Sequence, residues 1–350
     1  MTALDIAFQE VGGRLRRLDR VWLAFALLFA VLAVTVPGQA LDSAVFTLES
    51  FLWILPFLLI SVLLAAWLKA AGADQMIGAA AARRPVPMIV MAALFGALSP
   101  FCSCGVVPLM AAMLSAGVPL AAVMAFAMAS PIMDPEMFLL MSVVVGVPFT
   151  LAKTVAAVFM GLLAGFATMG LARTGLLAEP LRPGIGGCGG GSCGQAALAP
   201  GALRWAFWHE GERRATFAAD AKSITHFLAK WLLLAFALES LMVAWLPAEL
   251  VASTLGGTGW SAIPLAVAVG VPAYLNGYAA IPLIDELLAM GMAPGAALAF
   301  LVAGGVTSLP AAMAVFALVK RPVFLWYLAL ALVGALAVGF GYQGVLALWS

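Results

Sequence analysis

Two cysteines, Cys102 and Cys104, stand one residue apart in Ser99-Pro-Phe-Cys-Ser-Cys-Gly-Val-Val-Pro108, in the middle of an apolar run from Pro87 to Leu114. Thiolates prefer soft ligands such as Cu(I), and by the same argument trivalent arsenic or antimony. On extended backbone, residues at i and i+2 share a face and can aim both sulfurs at one small ligand; in a helix they diverge. Proline removes a backbone donor, and glycine weakens helix. The Ser99–Pro108 stretch is therefore expected to unwind inside the membrane, where irregular backbone is tolerated only against protein or a wet cavity. Cys102, Ser103 and Cys104 are candidate substrate contacts. The competing reading is that both thiols are small, inert, buried residues.

A second pair, Cys188 and Cys193, lies in a glycine-rich stretch with four residues between the thiols, a spacing suited to capture of a soft ion or metal. Ser130-Pro-Ile-Met-Asp-Pro-Glu136 forms another interruption. It offers Ser130 as a substrate contact, with Asp134 and Glu136 as proton-coupling candidates, because an ionisable group inside the bilayer marks a functional site by default. A Gly304–Pro310 break stands at nearly the same offset in the second half. Tyr274 and Asn276 fall where a second unwound tip is expected, placed to hydrogen-bond a ligand oxygen or to cap free backbone. Asp285 and Glu286 read as pore-mouth or solvated residues. Lys153 and Glu239 read as structural charges, with Lys153 close enough to a helix end to snorkel. His209 and His226 are isolated, and no Walker A pattern is present. The residues point to no catalytic centre and no cofactor.

The elements that position these groups are membrane helices. The 350 residues are 65% hydrophobic and 9% charged, with a mean hydropathy of +1.12, far from the roughly half-apolar, quarter-charged make-up of soluble domains. A net charge of +1 leaves no basic face for nucleic acid. Apolar runs predict segments at about 20–36, 45–69, 86–116, 118–145, 148–172, 222–247, 261–290, 294–319 and 322–347. The organisation is a tail and first helix (1–44), a first transmembrane repeat (45–172), a flexible Gly/Cys/Arg connector (173–221) and a second repeat (222–350). No clear cleavage site follows the first apolar run, which reads as a retained helix with a cytoplasmic N-terminus.

The arginines and lysines of residues 14–20, 69–84, 173–214 and 320–321 all belong on the cytoplasmic side. Nine simple crossings cannot place them there. Seven spanning helices and two re-entrant hairpins, at 86–116 and 261–290, can; eight or nine full spans with a poorly obeyed charge rule is the alternative. The halves also resemble each other: laid together without a gap, 108–130 and 282–304 share eight identities in 23 positions, including Pro108-Leu109 with Pro282-Leu283 and Gly117 with Gly291. Pro100 and Gly105 find Pro272 and Gly277 if the second copy holds two extra residues. Inverted repeats with broken helices are the pattern of an all-α transporter whose site lies near the midplane.

Ser99-Pro-Phe-Cys-Ser-Cys-Gly-Val-Val-Pro108, followed by Gly117 and Ser130-Pro-x-x-Asp134-Pro135, resembles the ArsP/YraQ-like predicted permeases. The second-half Pro272, Gly277, Pro282-Leu283 and Ala303-Gly304-Gly305 are similar to the C-terminal repeat of that family. The likeness covers about residues 45–345. It implies a multi-pass permease of the bacterial inner membrane, exporting a small soft solute. Trivalent, notably methylated or aromatic, arsenicals are the expected substrate, with Cys102 and Cys104 as the substrate thiols. One position departs from the pattern, which usually carries Asn where this chain has Asp134. Transport of a sulfur compound or another metal ion, and membrane thiol oxidoreduction between the cysteine pairs, are the rival readings. The expected partners are the solute, the lipid bilayer, and either further copies of the chain or a partner subunit.

Overall fold

The structure is a computed structural model that describes residues 20–71, 84–99, 103–115, 117–172, 177, 180–182, 208–245, 260–273 and 280–349. The described residues form thirteen helices. In chain order these are α1 (Arg20–Thr35), α2 (Pro37–Ala71), α3 (Pro85–Leu98), α4 (Ser103–Ser115), α5 (Leu120–Ala129), α6 (Pro135–Val144) and α7 (Val147–Ala172). They continue as α8 (Gly211–Trp245), α9 (Ala262–Ala273), α10 (Ala280–Ala289), α11 (Pro294–Val306), α12 (Leu309–Leu318) and α13 (Arg321–Trp349).

This is an all-helical, multi-pass membrane architecture. Val147–Ala172, Gly211–Leu241 and Arg321–Leu348 are each long and apolar enough to cross a bilayer. The number rises to five if two bent pairs each count as one span. One of these bends, 44° between Pro37–Pro56 and Leu58–Leu64, follows from Pro56, which has no N–H for the carbonyl one turn back. The other, 46°, separates Pro294–Val306 from Ala311–Leu318. Short apolar helices make up most of the remainder.

Burial explains the layering. Every residue of α5 from Ala121 to Ala129 is buried, and so is nearly every residue of α11. A helix apolar all round belongs at the centre of a bundle. Helices α3 and α7 both pack on α5, and α9 and α13 both pack on α11, while the 35-residue α2 and α8 pack against each other. Small residues set the approach. A Cβ on Gly161 would stand 2.8 Å from the Ala125 carbonyl oxygen, and one on Gly96 2.8 Å from that of Phe126. Without a hydrophobic drive between helices in lipid, such close backbone packing is what holds a bundle together.

The same contacts recur in the second half, in the gapless register that lays Gly117 on Gly291. Gly165 lies against Ile89 and Ala125; Gly339 lies against Ile263 and Ala299. Gly96 meets the Phe126 backbone, and Gly270 meets that of Phe300. Gly117 and Gly291 end their helices with φ of +80° and +97°, a left-handed conformation that glycine adopts without strain. On the far side of the first break, then, Gly96 and Gly270 keep the same register, and the two-residue insertion inferred from matching Pro100 to Pro272 is not needed. Register is held by the glycine at the helix contact, whereas the prolines only locate where each helix gives way.

Other boundaries also differ from the sequence reading. The 118–145 segment is two helices joined through Ser130–Asp134. Helix α8 begins at Gly211, inside the stretch read as connector, because Arg213 pairs with Glu210 at 2.7 Å and donates to the Ala70 carbonyl at 3.0 Å. That contact caps the end of α2. Pro180–Arg182, also in the connector, is pinned to the α12–α13 turn by backbone hydrogen bonds, by Arg182 Nε on the Val319 carbonyl and by its guanidinium 4.3 Å over Phe316.

Candidate functional site

Two chain interruptions meet inside the bundle, beside the start of α10. Helix α5 ends at Ala129, and Ser130-Pro131-Ile132 turns the chain before Asp134 starts α6 in extended conformation (φ −135°, ψ 165°). Asp134 accepts a hydrogen bond from the Met137 amide at 2.7 Å, a side-chain N-cap, and Pro135 fits the first helical position. In the second half, α11 runs through Gly304 and Gly305 and yields only at Thr307 and Ser308, a narrower break than Gly304–Pro310. Helix α9 ends at Ala273, and α10 starts at Ala280.

Between them sits a small interior cavity with room for only a water or two, lined by Pro131 and Ile132, Met137 of α6, Lys153 of α7, Gly270 of α9, Ala280 of α10 and the Phe300–Gly305 face of α11. A second, smaller cavity is lined by Val106, Val107 and Met110 of α4, Ala127, Pro131, Ala311, Val315 and Tyr327. The two are counterparts. In the register that lays Gly117 on Gly291, Val106, Ala127, Pro131, Ala311 and Tyr327 correspond to Ala280, Leu301, Gly305, Met137 and Lys153.

Lys153 is the residue that sequence reasoning misjudged. It does not snorkel: it is 2% exposed, and its Nζ donates to the Met137 sulfur at 2.9 Å. It stands six residues into α7, about 9 Å along the axis from Val147. That is close to an end by count but turned toward the α5–α6 interruption by packing. Asp134 is the acidic group whose charge acts on it. The available signal was the register between the halves, which sets Lys153 opposite Tyr327; that buried tyrosine donates to the Val306 carbonyl at the end of α11.

Among the predicted residues, Ser130 is buried and its hydroxyl lies 2.7 Å from that of Ser99, which itself donates to the Gly96 carbonyl at 2.8 Å. This chain ties the end of α3 to the end of α5. Glu136, in the first turn of α6, is exposed, as are Asp285 and Glu286 on α10. Glu239 is buried on α8. Helix covers much of the Ser99–Pro108 stretch that was expected to unwind. Ser99 is extended, and α4 resumes at Ser103, so Ser103 and Cys104 lie on its first turn and Pro108 lies within it. Helix resumes there because the first-turn amides need no partner, and Pro108 leaves only the Cys104 carbonyl without its helical donor. Cys102, Tyr274, Asn276, Cys188 and Cys193 lie outside the described residues. Among the described residues no cluster of three or more His, Cys, Asp or Glu side chains could hold a metal.

A broken-helix bundle enclosing paired cavities is a scaffold for moving a small solute. The sequence pattern of the ArsP_1 family, described as predicted permeases, matches residues 41–343. The chain belongs to this family. The permease is also 35% identical over 81 residues to the UPF0718 protein YcgR of Bacillus subtilis, a match covering 23% of this chain and 28% of that relative. The chain thus aligns with little more than a quarter of that protein's length. No solved structure matches. As a member of this family of predicted permeases, the chain is a multi-pass membrane protein.

Proposed function

We propose that the permease exports a small soft solute, a trivalent inorganic or organic arsenical, by alternating access through the interior where the helix interruptions meet. The observation that carries the transport reading is the pair of corresponding cavities, one in each half's register and each beside one hairpin. Repeated glycine contacts in that register support two repeats of inverted orientation, built as seven spans and two re-entrant hairpins. The α4 cavity is lined from Val106 onward, within a turn of Cys104 on the same helix. That proximity supports Cys102 and Cys104 as the thiols that exchange onto arsenic, with Ser103, Tyr274 and Asn276 as neighbouring polar contacts. Asp134 is proposed as the proton-coupling group and Cys188/Cys193 as cytoplasmic thiols that gather the solute. The location is the bacterial inner membrane, with the N-terminus in the cytoplasm.

The test is resistance of cells to trivalent methylarsenical when they carry Cys102→Ser or Cys104→Ser, with membrane abundance checked in parallel. Loss of resistance at unchanged abundance is expected of each. Unchanged resistance in both discards thiol exchange as the route.

A further inference from the structure

Lys153 has a position that neither helix packing nor thiol chemistry accounts for. A lysine that served only as filler this deep in an apolar bundle is worse than Met or Leu, since burying its charge costs several kcal/mol. Its surroundings offer little return. Among the described residues its one hydrogen-bond acceptor is the Met137 thioether, a weak one, and no ion pair forms on its ammonium, which has three donors. Asp134 is near enough to act on it electrostatically, yet that carboxylate caps α6 through the Met137 amide. The remaining lining is Pro131, Ile132, Gly270, Ala280 and the α11 face, without a basic or acidic group besides Lys153. Among the described residues, the counterpart cavity carries no charge. Tyr327 stands in the position of Lys153 and gives its hydroxyl to the Val306 carbonyl.

We propose that the Lys153 cavity is a binding site for a small anion, which completes the hydrogen bonding of the ammonium and leaves the Tyr327 cavity as its neutral mate. The anion is a compact co-ion of the size of chloride, in keeping with a cavity that holds only a water or two; a trivalent arsenical hydroxide is neutral near neutral pH and brings no negative group of its own. The chemistry is a compact negative charge against one buried ammonium. The inference rests on the reading that this cavity lies on the solute path, and it makes the path asymmetric, cationic beside the second hairpin and neutral beside the first.

The test uses full-length protein in nanodiscs of neutral lipid. Thermal unfolding is followed by tryptophan fluorescence in sodium chloride, thiocyanate, sulfite or gluconate at constant ionic strength. Saturable stabilisation by chloride, weaker by the larger thiocyanate and sulfite, and none by the bulky gluconate is expected. In Lys153→Met the half-saturating concentration should rise at least tenfold, whereas Tyr327→Phe should keep the wild-type value. Lys153→Gln replaces Lys153→Met if the latter does not fold. No saturable effect in the wild type, or an unchanged midpoint in the folded Lys153 variant, overturns the proposal. Arsenical flux in proteoliposomes without any anion effect refutes this inference alone. An anion effect without arsenical flux refutes the proposed substrate and leaves the site standing.

Discussion

Replacing Gly96 by alanine tests whether backbone contact between α3 and α5 positions the first hairpin. The added Cβ would lie 2.8 Å from the Phe126 carbonyl oxygen and 3.0 Å from Ala129 Cβ. Neither atom can rotate away, because one is backbone and the other is fixed to it, so the helices must separate by several tenths of an ångström. Overpacking of this kind costs about 1–3 kcal/mol. Against it stands the gain of about 0.5–1 kcal/mol from placing alanine rather than glycine in a helix. Gly170→Ala on α7 supplies that gain alone, since nothing lies within 4 Å of its Cβ. The difference between the two variants therefore isolates the steric term: Gly96→Ala should be less stable than Gly170→Ala by about 1–3 kcal/mol. Gly270→Ala, whose Cβ would stand 2.9 Å from the Phe300 carbonyl oxygen, should behave like Gly96→Ala. The assay is unfolding in mixed micelles by titrated sodium dodecyl sulfate, followed by loss of helical circular dichroism. Equal stabilities for Gly96→Ala and Gly170→Ala would refute the close-contact argument, and a stabilising Gly270→Ala would refute the equivalence of the two halves.

Ser99→Ala and Ser130→Ala should each cost about 0.5–1.5 kcal/mol in the same titration, and the double variant should fall short of their sum by about 0.6 kcal/mol, the usual coupling of an interhelical hydrogen bond in membranes. Full additivity would mean that the two hydroxyls do not bond. Arg213→Ala removes the cap on the Ala70 carbonyl and should destabilise by about 1–3 kcal/mol, whereas Arg214→Ala on the exposed side should change little; comparable effects would show that the buried contact carries no weight. The cysteine substitutions are expected to abolish arsenical resistance without loss of protein from the membrane, read by growth and immunoblot. Lys153→Met is expected to weaken small-anion stabilisation at least tenfold in the fluorescence melt.

The membrane character and the interruption at Ser130–Asp134 were legible in the chain, because each depends on local properties: apolar length and prolines without N–H groups. Family membership followed from the Ser99–Pro108 motif for the same reason. The fate of individual side chains was not legible. Lys153 read as a charge close enough to a helix end to snorkel, yet it is sealed in the interior. Helical periodicity assigns a face to a residue, but only the neighbours α5 and α6 make that face inside or outside. Likewise, the bond of Ser130 to Ser99, 31 residues away, is a pairing set by the crossing of α3 over α5. Sequence determined where this chain must enter lipid and where it must break. Tertiary structure alone decided which elements share a cavity and that Lys153 is the charge lining it among the described residues, because both depend on contacts between residues far apart in the chain, which no local pattern encodes.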